Sequence, residues 1–205
     1  MIFDFVTRLK NPFFLLVFAV SLAACDVNAV PRLDEQVSAS WSQVENQYQR
    51  RADLVPNLVA TVQGFATQER EVLQNVVEAR AKVGQMQIPD NILQNPDALK
   101  MFEQNQGALS SALSRLLVVA ERYPDLKSNQ NFLALQSQLE GTENRLAVAR
   151  RDYIAAVRDY NTELRTIPGK WIASVMYPEA ELKPTFTATV ENADQAPKVN
   201  FSSGS

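Results

Sequence analysis

Between Leu33 and Val83 apolar residues recur at two interleaved seven-residue intervals. Val37, Val44, Leu58, Phe65, Val72 and Ala79 form one series; Trp41, Tyr48, Val55, Val62, Val76 and Val83 form the other. Offsets of three and four residues fall on one face of a helix, so the two series make a single seam that other helices must cover. Pro56 lies inside this pattern, where its missing N–H and its ring against the carbonyl of Ala52 predict a bend or local break. The seven-residue phase continues across it from Arg51 to Leu58. The pattern therefore predicts one kinked helix on the order of 75 Å long.

Turn-forming residues from Gly84 to Pro96 end that helix, and Asn95-Pro96-Asp97 predicts the start of a second, with Asn95 as N-cap. The second carries Leu99, Phe102, Leu109, Leu113, Leu116 and Ala120, with Gln106 in the remaining seam position, and stops at Tyr123-Pro124-Asp125. A third runs from near Ser128 to Ile167 on Phe132, Leu139, Leu146, Tyr153 and Tyr160, with Leu135, Thr142, Ala149, Ala156 and Glu163 as its companion series. The expected fold is all-α: a long antiparallel three-helix coiled-coil-like bundle over residues 33–167. The tail, residues 168–205, opens with a short amphipathic turn at Trp171, Ile172, Val175 and Met176. It continues through β-like runs at Thr185–Val190 and Lys198–Phe201, which pair as a small hairpin or lie extended on the helices.

The first 24 residues read as an export signal, with Arg8 and Lys10 as basic flank and an apolar run from Phe13 to Ala24. Leu22-Ala23-Ala24-Cys25 resembles a bacterial lipoprotein cleavage box, which makes Cys25 the lipidated anchor and residues 25–32 a spacer. The alternative is an uncleaved single-pass helix with Cys25 as a small apolar residue, although the run is shorter than the roughly 20 residues a span needs. In both cases the basic flank stays inside and the body lies on the outer, periplasmic face of the inner membrane. Asp26 resembles the mark for inner-membrane retention in proteobacterial lipoprotein sorting.

The chain has no histidine and one cysteine, so it lacks the commonest metal ligand and neutral-pH base and cannot form an internal disulfide. No spacing resembles a metal cage, nucleophile elbow or phosphate loop; no catalytic residue, metal or cofactor is expected. A net charge of −3 with no basic cluster gives no footprint for nucleic acid.

Two charged residues, Arg51 and Glu69, occupy seam positions and require partners on neighbouring helices. With the first turn near Gly84, helix lengths place Glu69 opposite Arg145, or Arg150 one turn higher, and Arg51 beside Asp125 or a carbonyl of that corner. The same register leaves Val37, Trp41, Val44 and Tyr48 without a cover. Such a stripe is expected to meet the chain's own tail or another protein, a second copy being favoured, and the groove beside Trp41 and Tyr48 is an alternative site for an envelope ligand or peptide.

The strings QYQRRADLVPNLV at Gln47–Val59, Glu69, Ala79-Arg80-Ala81, ERYPDLKSNQNF at Glu121–Phe132, LEGTENRLAVARRDY at Leu139–Tyr153 and Asp159-Tyr160-Asn161 resemble, in order, the LemA family of bacterial membrane-associated proteins. The similarity covers about residues 33–170. The sequence departs from the family pattern in its lipoprotein-type start, in Ile167-Pro168 where an aromatic-Pro is usual, and in Tyr153-Ile154 where Tyr-Asn is common. The resemblance implies a mostly helical antiparallel body attached to a membrane. It implies no reaction and carries over no catalytic or binding residues, which leaves a scaffold or adaptor as the expected role.

Overall fold

The computed structural model describes residues 26–86, 88–89 and 91–186. Its first helix, α1, runs Ala29–Phe65, and the second, α2, runs Arg70–Gln85. The single rod expected over residues 33–83 is therefore two helices with a turn at residues 66–69. The chain reverses there, since Arg80 Nε on α2 donates to the Ala52 carbonyl on α1 at 3.3 Å. The seam hid this reversal because Val62 and Val76, seven residues to either side of Glu69, are both fully buried. A helical hairpin whose limbs face one core repeats the pattern of one long helix. The register nevertheless slips at the turn: Ala66 and Leu73 are buried, whereas Phe65 is exposed.

Helix α3 (Pro96–Ala120) starts as expected, with Asn95 Oδ1 accepting from the N–H groups of Asp97 at 3.1 Å and Ala98 at 3.0 Å. Asn95→Ala is expected to lower stability by about 1 kcal/mol, read as a shift in the urea midpoint at unchanged m-value. Tyr123 precedes the short α4 (Pro124–Lys127), and Asn129 caps α5 (Gln130–Arg165). Helix α6 (Gly169–Met176) follows, and residues 177–186 continue without helix or strand. Ala29 begins α1 inside the segment read as a spacer; Pro31 falls in its first turn, where a missing N–H is tolerated. The expected three-helix bundle is thus built from four long limbs, α1, α2, α3 and α5. Cys25 and most of the expected hairpin, residues 187–205, lie outside the described residues; among those described there is no strand.

The core divides into two segments. Around the 66–69 turn, Val55, Leu58 and Val62 of α1 pack with Leu73 and Val76 of α2, Leu109, Leu113 and Leu116 of α3, and Phe132 and Leu139 of α5. Toward the start of α1, Val37, Trp41, Val44 and Tyr48 pack with Leu99 and Phe102 of α3, Leu146, Tyr153, Val157 and Tyr160 of α5, Ala173 of α6 and Phe186 of the tail. The buried residues of α2 all belong to the first segment, and the second is completed by Ile92 of the α2–α3 connection together with α6 and the tail.

Candidate functional site

Between the two core segments lies a polar layer. Arg51, Gln106 and Thr142 take the seam positions there on α1, α3 and α5, and all three are buried. Arg51, only 1% exposed, donates to Ser110 Oγ at 2.6 Å, Glu143 Oε1 at 3.1 Å, and the carbonyl and side-chain oxygens of Gln106 at 3.1 and 2.5 Å. Its guanidinium carbon stands 5.0 Å from the centre of the Tyr48 ring. Glu143, 44% exposed, and the half-buried Ser110 reach solvent at the rim, and the rest of this charge-assisted network lies inside the protein. A cleft of about 500 Å³ opens onto it between α3 and α5, edged by Glu103 and by Arg150, which pair at 3.4 Å. On the α2 side a groove of about 760 Å³ is lined by Tyr48, Asp53, Arg80, Met86, Ile88 and Phe102 among others. The layer can fix register and hold a polar group at the cleft mouth.

The expected ion pairs are exchanged. Glu69 accepts from Tyr123 Oη at 3.1 Å and pairs with Arg122 at 3.0 Å, at the corner where Arg51 was expected. Arg51 meets Glu143, in the region where Glu69 was expected. Arg145 instead donates to Gln47 at 3.3 Å and Thr142 at 3.1 Å, and Asp125 is not a partner of Arg51. The cause is the fold-back at residues 66–69 rather than at Gly84, which brings the end of α3 level with Glu69 and its middle level with Arg51.

Pro56 stays within α1 because its defect is answered from outside. The Ala52 carbonyl, deprived of the N–H that residue 56 would supply, accepts the Arg80 guanidinium. Reading residues 33–83 as one helix concealed this contact. Residues 52 and 80 become neighbours only when α2 lies back along α1.

The stripe of Val37, Trp41, Val44 and Tyr48 is buried by its own chain, Trp41 being 4% exposed, so it offers no surface to a second copy. Trp41 lies 5.3 Å from Phe102, 5.4 Å from Tyr153 and 6.0 Å from Phe186, centre to centre. Four polar ties hold the tail over it. Asn161 Nδ2 donates to the Lys183 carbonyl and Asn161 Oδ1 accepts from the Lys183 N–H, both at 2.9 Å; Tyr153 Oη donates to the Pro184 carbonyl at 2.9 Å; and Lys183 Nζ pairs with Asp34 at 2.6 Å.

Burial pushes the Tyr153 hydroxyl well above the ordinary tyrosine range. Burial, reinforced by Asp34 and Glu179, pushes Tyr160 up to about 12. Both groups are held neutral in the fold while the unfolded chain ionises from about pH 10. The unfolded state then binds fewer protons, so the contribution of these two groups should be level below about pH 9 and be lost as pH rises from there through about 12. Urea midpoints against pH check this, and Tyr160→Phe should flatten the fall.

The model of the LemA family matches residues 40–201, a span that includes the strapped segment around Lys183 and Phe186. Two proteins named magnetosome protein MamQ, 1 and 2, from Paramagnetospirillum magneticum are each 26% identical over 164 residues, covering 72% of this chain and 60% of theirs. The magnetosome protein MamQ of Magnetospirillum gryphiswaldense is 24% identical over 176 residues, covering 78% and 65%. The chain thus spans less than two thirds of the length of these relatives.

Proposed function

This chain belongs to the LemA family, and from that premise we propose that it is a membrane-anchored helical scaffold or adaptor of the bacterial cell envelope. The anchor is a lipidated Cys25, with a single-pass helix as the alternative. The body stands on the periplasmic face of the inner membrane and meets a protein partner or further copies of itself through its helix faces. The observation that carries this reading is the use made of the interior polar groups. Arg51, Gln106 and Glu143 bind one another, and Lys183 binds Asp34, so these side chains tie helices together and set their register.

A second reading has its own observation in the groove beside Tyr48, whose apolar edge of Met86, Ile88 and Phe102 fits a peptide or envelope ligand. Trp41 does not line it. Photo-reactive residues at Val77, Met101 and Val118, all exposed, and at Ile88 on the groove, used in intact cells, separate the two readings. A scaffold gives discrete protein adducts from at least one helix face. Adducts confined to Ile88 favour the ligand groove, and no adduct of any kind from the four positions would sink both.

A further inference from the structure

At the end of the bundle where α1 begins, α6 turns an apolar face outward. Trp171 and Val175, four residues apart on this helix, are 62% and 80% exposed, with Met176 beside them also exposed, and Ile167, in the turn just before α6, is 63% exposed. The opposite face is fixed. Gly169 and Ala173 are buried, and a Cβ at position 169 would collide with the Glu163 carbonyl oxygen, so α6 is pressed onto the end of α5 with little freedom to rotate. Tyr177 Oη, just past α6, donates to the Val27 carbonyl at 3.3 Å. The apolar run that starts at Phe13 ends at Ala24, three residues before Val27. Three residues span at most about 11 Å, so the tether that an anchor before Asp26 would have to this end of the body is short.

We infer that α6 is an interfacial membrane contact: Ile167, Trp171, Val175 and Met176 insert into the headgroup and upper acyl region of the bilayer that holds the anchor, and seat the bundle on its end. This rests on the membrane-anchored reading above. The occupant is lipid because the covalent tether puts this face within reach of the bilayer wherever the anchor is inserted. A tryptophan beside aliphatic side chains, on a helix pinned along its other face, suits the interfacial zone.

The test uses the full chain purified from membranes and reconstituted into phosphatidylcholine–phosphatidylglycerol vesicles. Trp171 is read as the difference between the native chain and Trp171→Phe, since Trp41 is buried in both. Acyl-chain-brominated lipid is expected to remove more than half of the Trp171 emission, while aqueous iodide removes little. Iodide quenching of Trp171 in a chain that floats with the vesicles overturns the inference and leaves the anchor standing. Protection from both quenchers also overturns it, because a second copy then covers the face. A chain that does not float overturns the anchor and the inference together.

Discussion

Arg51→Ala is expected to lower the unfolding free energy by about 3–5 kcal/mol, among the largest losses available to a single side chain here. The loss does not come from stranding Glu143, which is 44% exposed and can be solvated by water. It comes from the cavity left by a side chain that is 1% exposed, and from Gln106, whose buried side-chain oxygen loses its donor and whose backbone carbonyl loses a second donor beyond its helical one. Arg51→Met keeps most of the volume and still orphans Gln106, so it should cost about 1–3 kcal/mol. Glu143→Gln keeps an acceptor at the rim and should cost less than Arg51→Ala. Equilibrium urea unfolding of the three variants decides it. An Arg51→Ala loss under 1 kcal/mol would falsify the claim that this layer ties α1, α3 and α5.

The polar layer was half legible. Arg51, Gln106 and Thr142 each stand out as polar residues in apolar series, but their meeting depends on where the chain turns, and the decisive turn is weakly written. Residues 66–69 contain neither proline nor glycine, and Gly64, two positions earlier, lies within α1. What marks the turn is the burial of Ala66 in place of Phe65, and of Leu73 ahead of the half-buried Val72, a slip by one position that equally apolar neighbours conceal. Where turn chemistry was strong, at Asn95-Pro96 and Tyr123-Pro124, the boundaries follow the sequence. Pro56 shows the reverse case, a strong local signal overridden because Arg80 supplies the missing donor from another helix.

The tail was legible only as one of two options, an extended run lying on the helices, and its ties were illegible for a different reason. An extended strap has no helical period, and three of its four ties use backbone groups of Lys183 and Pro184 that any residue of suitable conformation can present. Asn161 was visible within the family-like motif Asp159-Tyr160-Asn161, yet nothing in one sequence connects it to a partner 22 positions away. Without the strap the aromatic stripe on α1 reads as an open surface. With it, the stripe becomes the inner wall of the second core segment.

Phe186→Ala should release that strap. The ring is buried, packs on Trp41 and Tyr153, and carries the Arg150 guanidinium 4.4 Å from its centre. Removing a buried phenylalanine typically costs about 3–5 kcal/mol. At the edge of the bundle much of that loss should appear as local opening rather than global unfolding. The Lys183 amide, bonded to Asn161 Oδ1 at 2.9 Å, is the reporter: its hydrogen exchange should accelerate by roughly two orders of magnitude, the equivalent of about 3 kcal/mol. Amides of α2, which lies away from the tail, should change far less. Trp41 emission should shift to the red as water reaches the uncovered stripe. Unchanged exchange at Lys183 would mean that the Asp34 ion pair and the Asn161 bonds hold the strap alone, with the aromatic ring filling space behind them.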